Sequence, residues 1–241
     1  MEFNPSNYNK NLKNSYDLVA SKTWLNDDFR DDLIATSRSL FQSQSLKNRS
    51  PVPKNLEVYA LLSGIQFPAY VLSALQDIQI KLSSILKQSL HYLVLPENLG
   101  LEYLVFKWPD DSWNQSRKKH IKNILEQMEF TSFKYIIYGI QINPDGCIIA
   151  RGYDDGKIGS IRNALKRRVN FLPEKQSQWA HIPLGRILEP IGTQKFNLLK
   201  EFITKYQDKF ILECNINSAK YVHESKWYME KKEILLEINF D

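Results

Sequence analysis

The fold of this chain is decided by the stretch Pro96-Glu97-Asn98-Leu99-Gly100-Leu101-Glu102-Tyr103-Leu104, which has a second, related stretch at Trp179-Ala180-His181-Ile182-Pro183-Leu184-Gly185-Arg186-Ile187. Both are short apolar segments typical of a β-strand, in which alternate residues share a face. Gly100 and Glu102 are therefore expected on one side of the first strand, and His181 and Pro183 on one side of the second. The two strands are expected to face one cleft.

These stretches resemble the two motifs of the two-histidine (2H) phosphoesterases, a family that includes the bacterial RNA 2′,3′-cyclic phosphodiesterases and RNA end ligases. That family has Pro-Glu-Asn-Leu-His-Leu-Thr at the first motif and His-x-Thr-Leu-x-Arg at the second. In this chain the first His is replaced by Gly100 and its Thr by Glu102, whereas the second His is kept as His181 and its Thr is replaced by Pro183. One of four catalytic side chains of the family pattern remains.

The order of elements along residues 56–240 predicts an α+β fold. Helical patterns alternate with pairs of strands rather than with single strands, which favours antiparallel sheets over a parallel, doubly wound sheet. The resemblance implies a bilobal 2H phosphoesterase-like fold, with two pseudo-symmetric antiparallel sheets and outer helices around a central cleft. Within it, the turn Asn143-Pro144-Asp145-Gly146 predicts a hairpin, and the last two strands are expected at Phe210 to Asn217 and about Trp227 to Phe240.

Residues 1–55 are predicted to form an N-terminal extension to the 56–241 domain. The extension is expected to open as a polar, flexible segment. A helix capped by Asn26 or Asp27 then runs to about Phe41, and a linker with Pro51 and Pro53 follows. We expect this extension to pack on the core as an accessory helix or to cover the cleft.

Composition sets broad limits on function. The formal net charge is +5, which allows contact with a phosphate or a nucleic acid without requiring it. No apolar run reaches the roughly 20 residues that a membrane helix needs, so no membrane association is expected. The N-terminus is not a signal peptide, and two cysteines without metal-ligand spacing fit a cytoplasmic protein with free thiols. No cofactor and no metal site are expected.

His181, Glu102 and His91 are the predicted catalytic residues. In the family the two His act as general base and general acid on a phosphodiester, a task that needs two titratable groups. Glu102 could partner His181, hold its ring and favour its charged form. His91 begins the strand before the first motif and could compensate for the missing His. The residues predicted to contact a ligand are Arg186, Tyr92, Tyr103, Gly100 and Pro183.

Three functions remain open from the sequence. The first is a degenerate relative that binds a nucleotide, an RNA end or a small polar ligand, with ordinary cyclic phosphodiesterase activity lost or weak. The second is an enzyme of altered chemistry that uses His181 with Glu102 or His91. The third is a non-enzymatic protein-interaction module in which residues 24–46 plug the cleft with apolar side chains. An open, polar cleft containing His181 favours the first two.

Overall fold

The computed structural model describes residues 7–241 and contains helices and strands in an α+β arrangement. The helices are α1 (Asn7–Thr23), α2 (Asp31–Arg38), α3 (Ser43–Lys47), α4 (Ala69–Ile85), α5 (Gln115–Glu126), α6 (Lys157–Arg168) and α7 (Thr193–Tyr206). The strands are β1 (Asn55–Gly64), β2 (His91–Leu93), β3 (Gly100–Lys107), β4 (Phe133–Ile142), β5 (Cys147–Tyr153), β6 (Ile182–Ile187), β7 (Phe210–Ile216), β8 (Ser218–Lys226) and β9 (Lys231–Asn239). No helix in this part of the chain is both long enough and apolar enough to cross a membrane.

Two antiparallel sheets confirm the predicted fold class. The first sheet has the strand order β3-β1-β8-β9, and the second has the order β2-β6-β5-β4-β7. The sheets do not correspond to the two halves of the sequence. The C-terminal pair β8 and β9 joins the first sheet, and β2 from the first half pairs with β6 in the second. This exchange of strands ties the two lobes together.

The two motif strands lie where the lobes meet. A single 3-10 turn, Pro96–Asn98, leads into β3 at the edge of the first sheet, and β6 lies inside the second sheet between β2 and β5. Arg162 of α6 connects them: its guanidinium donates to the carbonyls of Tyr103 (2.7 Å) and Glu102 (3.0 Å) on β3, and to that of Trp179 (2.7 Å) just before β6. The motif strands are therefore held in one unit.

Helix α4 shows how the apolar pattern of the sequence becomes the core. Val71, Leu75, Ile78 and Leu82 recur at spacings of four and three along the sequence, and all four are buried. Gln79 lies on the same buried face, where its side-chain amide donates to the carbonyls of Val94 (2.8 Å) and Leu184 (2.9 Å). A buried amide is tolerated there because its N–H groups have partners.

The N-terminal extension differs from its prediction. The expected flexible opening is wrong from residue 7 onward, because helix α1 begins there and packs against β4 and β5. The buried residues Leu12, Tyr16 and Ala20 follow each other at a spacing of four and form its inner face. The predicted long helix from Asn26 or Asp27 is instead two short helices, α2 and α3. The residue before α2 is Arg30, whose side chain makes no capping bond.

Asp28, in the segment before α2, binds the start of α7. Its carboxylate accepts hydrogen bonds from the backbone N–H groups of Ile191 (3.0 Å) and Gly192 (2.7 Å), at the start of α7. The extension is thus bound to the second lobe at both α1 and the segment before α2.

The C-terminal region contains one more strand than predicted. Residues Ser218–Lys226 form β8, the central partner of β1 and β9, and the expected strand at Trp227 to Phe240 is β9 preceded by a turn. Tyr228 and Met229 in that turn adopt positive φ angles of 61° and 57°. This turn brings Tyr228 and Met229 to the junction between the lobes.

Candidate functional site

A cavity of about 560 Å³ lies between the two sheets. This is within the roughly 300–1,000 Å³ typical of small-ligand pockets. Its walls come from both motif strands, from the β8–β9 turn, from the loop before β6 and from α2 and the residues after it. Gly100, Glu102, His181, Pro183 and Arg186 all line it, so the structure brings five of the eight predicted site residues together.

Gly100 leaves room on the β3 wall. A Cβ placed there would meet its nearest neighbours, the Ser63 carbonyl oxygen and Leu62 Cδ1, at 3.4 and 3.5 Å, which is ordinary van der Waals contact. The backbone at this position does not have the positive φ that would favour glycine. The backbone and its neighbours therefore leave room for a side chain at Gly100, and the fold does not require glycine at this position.

Glu102 presents a carboxyl group to the cavity. None of the described residues donates a hydrogen bond to that carboxyl, although its backbone carbonyl accepts from Arg162. Burial raises the pKa of Glu102 to about 7, and the Arg162 guanidinium opposes this shift. Glu102 is therefore poised between its neutral and charged forms near neutral pH.

His181 is neutral. Burial lowers its pKa to about 4, and the positive charges of Arg162 and Arg186 act in the same direction. The expectation that Glu102 holds the ring and favours its charged form is wrong: the pKa moves the other way, and no hydrogen bond joins the two side chains. Within residues 7–241, ring atom Nδ1 is buried and has no hydrogen-bond partner.

Arg186 is fixed by protein groups. Its Nη1 donates to Asp145 Oδ2 (2.8 Å) and to Ser37 Oγ (2.7 Å), and its Nε donates to the hydroxyl of Tyr228. Arg186, predicted from the sequence to contact a ligand, thus forms a salt bridge with Asp145. Its charge is thus compensated before any ligand arrives. Glu189, three residues after Arg186, pairs with Arg49.

Glu224 is a second cavity carboxyl, and sequence reasoning missed it. It lies on β8, is buried, and its Oε1 accepts from the backbone N–H of Met229 (2.8 Å). Burial raises its pKa to about 8, and the nearby charge of Glu102 contributes. Val222 and Glu224 share one face of β8, and His223 lies on the other, so strand alternation was a signal for Glu224. The sequence alone did not place β8 beside the cleft.

Three predicted residues lie outside the cavity. His91 is half-buried with Nδ1 2.7 Å from the carbonyl oxygen of Ser89, and Tyr92 donates its hydroxyl to Glu230 (2.9 Å). Tyr103 is buried with its hydroxyl 2.7 Å from Ser63 Oγ. Tyr103 follows Glu102 directly on β3, so the alternation of strand faces directs it away from the cleft. The structure therefore does not bring His91 into the cleft that Gly100 and His181 line.

The remaining walls are largely apolar and aromatic. Trp108 and Trp227 lie with ring centroids 6.2 Å apart, and Leu62, Val94 and Met229 add aliphatic surface. Gln176 also lines the cavity, but its amide is bonded to the backbone N–H and carbonyl of Val105. Among the described residues, no group of three or more His, Cys, Asp or Glu side chains could hold a metal ion.

Comparison with solved structures identifies the fold. The Agrobacterium tumefaciens protein of unknown function ATU0111 superposes with a TM-score of 0.58 and 11% identity, covering 78% of this chain and 88% of that one. The Thermus thermophilus protein TT0787 gives a TM-score of 0.55 and 13% identity, covering 76% and 97%. Escherichia coli LigT in complex with phosphate gives 0.51 and 11%, covering 78% and 99%.

The chain has the two-histidine phosphoesterase fold. LigT has also been solved in complex with ATP and with 3′-AMP, each at a TM-score of 0.51 to this chain. No protein-family model matches the sequence, and no curated protein matches it. At 11–13% identity, this likeness extends to the fold.

Proposed function

We propose that this protein binds a small polar ligand in the cleft between its lobes and does not hydrolyse cyclic phosphodiesters at the rate of an ordinary enzyme. The observation that carries the proposal is that His181 is the single imidazole lining the described cavity and that Gly100 stands at the other motif position. The 2H reaction needs one group to accept a proton and another to deliver one. Gly100 can do neither.

The phosphate contacts of the family pattern are replaced as well. Glu102 and Pro183 stand where the family has hydroxyl groups, and a carboxylate repels a phosphate while proline has no hydroxyl to donate. Arg186, the remaining cation of the motif, is compensated by Asp145. These changes weaken anion binding at the position where the family pattern is expected to hold a phosphate.

The cavity also bears on the interaction hypothesis. Thr36 and Leu40 form part of the cavity wall, but the cavity stays open and keeps His181, Glu102 and Glu224 on its surface. Residues 24–46 therefore line the cleft without filling it. This supports binding of a ligand over a purely structural use of the fold.

An enzyme of altered chemistry is the second candidate, and one observation favours it. Burial brings the pKa of Glu102 to about 7, the range in which a carboxyl group works best as a general acid or base at neutral pH. Such an enzyme would lose its turnover on Glu102→Gln and on His181→Ala alike, whereas a binding protein has no turnover to lose.

The test is to restore the family pattern. We expect the wild-type protein to show no turnover of nucleoside 2′,3′-cyclic phosphates near the ordinary range of about 1–10³ s⁻¹. The triple variant Gly100→His, Glu102→Thr, Pro183→Thr should gain measurable hydrolysis, since Gly100 has room for a Cβ. Adding His181→Ala to the triple variant is the matched control and should abolish that gain. Wild-type turnover at enzymatic rates that is lost in His181→Ala would contradict the proposal.

A further inference from the structure

We propose that the ligand of this cleft is an organic cation, an ammonium group on an apolar or aromatic body, bound with the ammonium between Glu102 and Glu224 and the body against the aromatic wall. This inference rests on the proposed function, because it names the class of ligand that the same cleft takes. It reverses the charge preference that the family resemblance implies.

Two carboxyl groups supply the acceptors. Glu102 extends from β3 and Glu224 from β8, and both line the cavity. Glu224 is bonded to the backbone of the β8–β9 turn, which fixes its position. No described residue donates to the Glu102 carboxyl, so this acceptor is available. An ammonium group carries three donors and no acceptor, which matches a pair of carboxylates.

The two arginines near this pair are already engaged. Arg162 donates to three backbone carbonyls, and Arg186 is paired with Asp145. Arg162 lowers the pKa of Glu102 through its field, but its guanidinium makes no hydrogen bond to that carboxyl. Neither arginine therefore occupies the acceptors of Glu102 or Glu224.

The two nearby lysines are engaged in the same way. Lys232 on β9 donates to Asn98 Oδ1 and to the carbonyl oxygen of Met229. Lys220 on β8 donates to the Ile65 carbonyl oxygen and lies near Glu237. Lys232 acts on Glu224 only as a neighbouring charge that lowers its pKa. The carboxyl pair thus lacks a bonded cation among the described side chains.

The aromatic wall suits the same ligand. Trp108 and Trp227 line the cavity beside Tyr228, and the face of an indole attracts a cation. The protein already shows this on Trp108: Lys175 Nζ lies 5.8 Å from its ring centroid. Lys175 is exposed, so it can move aside, and solvent screens its charge. His181 also lines the cavity, and its Nδ1 is buried and unpartnered within residues 7–241.

Binding of a cation must be coupled to release of protons. The pKa values of about 7 for Glu102 and about 8 for Glu224 mean that the pair is partly protonated at neutral pH. An ammonium ion favours the charged carboxylates and lowers both pKa values. His181, with its pKa near 4, stays neutral throughout this range. Affinity should therefore rise from about pH 6 to about pH 8.5, while the amine itself remains protonated.

The experiment is titration calorimetry on the full chain with three matched probes: 2-phenylethylamine as cation, 2-phenylethanol as neutral isostere and phenyl phosphate as anion. We expect the amine to bind more tightly than both others by about tenfold or more, equivalent to about 1.4 kcal/mol. Its binding should release protons, seen as a dependence of the heat on the ionisation enthalpy of the buffer. Glu102→Gln and Glu224→Gln should each lower amine affinity by about tenfold.

Controls separate loss of the site from loss of the fold. Glu224→Gln keeps an oxygen that accepts from Met229, and Glu201→Gln changes an exposed carboxyl on α7 and should leave affinity unchanged. Equal binding of amine and alcohol, or amine affinity unaltered in both cleft variants, would overturn the cation inference while leaving cleft binding intact. Preferential binding of phenyl phosphate, together with turnover of cyclic nucleotides, would overturn the proposed function as well.

Discussion

His181 makes an acid-sensitive contribution to stability. Its pKa is lowered in the folded protein to about 4 from a usual value of 6.5, so between these values the unfolded chain takes up a proton that the folded protein does not. Stability therefore falls as the pH drops from about 6.5 to about 4. When the pH is lowered from about 7 to about 5, the unfolding free energy of His181→Asn should fall by roughly 1–2 kcal/mol less than that of the wild type. Urea unfolding at both pH values measures this difference.

The control for this prediction is His120→Gln, which changes an exposed histidine on α5. That variant should follow the wild-type pH dependence. If the stability of His181→Asn follows the wild-type pH dependence equally closely, the imidazole is not held neutral in the cleft, and the electrostatic description of the site is wrong.

Glu102 and Glu224 should give stability a pH dependence opposite in sign to that from His181. Their pKa values are raised by burial to about 7 and about 8 from a usual value of 4.5, so the folded protein binds more protons than the unfolded chain in that interval. Stability therefore falls as the pH rises from about 4.5 to above 8. We expect Glu102→Gln and Glu224→Gln to melt at higher temperature than the wild type at about pH 9 and to differ less at about pH 5.5, by scanning calorimetry. Glu201→Gln, being exposed, should show no such difference between the two pH values.

At the scale of elements, Arg162 connects the strands on which the site depends. It is buried on α6 and supplies the N–H groups for carbonyls at Tyr103, Glu102 and Trp179. Arg162→Met leaves these carbonyls without donors, and one buried unsatisfied group alone costs about 1–3 kcal/mol. We expect a loss of at least about 2 kcal/mol in unfolding free energy, with ligand binding in the cleft weakened even at temperatures where the variant is folded. Arg167→Met, an exposed change on the same helix, is the control, and an equal effect of both would contradict the role of Arg162.

The same scale shows what the sequence can and cannot predict. Strand alternation placed Gly100 with Glu102 and His181 with Pro183 correctly on the cleft face, because that pattern is local. The same alternation places Tyr103 on the opposite face of β3, at odds with its predicted ligand contact. Membership of Glu224 in the site depends on β8 pairing with β1, more than a hundred residues earlier in the chain, and no local pattern encodes such a pairing. Likewise, the salt bridge between Arg186 and Asp145 depends on the turn between β4 and β5 lying next to β6 in the folded protein.

At the scale of the whole molecule, the N-terminal extension is part of the core. The spacing of Leu12, Tyr16 and Ala20 was a usable helix signal, hidden by the polar, Asn-rich residues around it. Farther along, Phe41 is buried against the rings of Tyr92 and Tyr228, next to the cavity. The extension therefore spans from the second sheet to the edge of the cleft, and its attachment should influence the stability of both.

Asp17 provides the test of that attachment. Its carboxylate lies 2.7 Å from Nη1 of Arg151, whose side chain is fully buried, and a further buried nitrogen of Arg151 has no hydrogen-bond partner in the described chain. Asp17→Asn leaves the buried guanidinium without its counter-charge, a change that costs roughly 3–5 kcal/mol in a fully buried pair. Asp17 is about one-third exposed, so we expect about 2–3 kcal/mol, a lowering of the melting temperature by roughly 4–10 °C. Lys13→Ala removes the other, partly exposed partner of Asp17 and should cost less than about 1 kcal/mol. Equal losses in the two variants would mean that α1 is held by surface contacts and not by the Arg151 pair, and the extension would then be a detachable cover rather than part of the core.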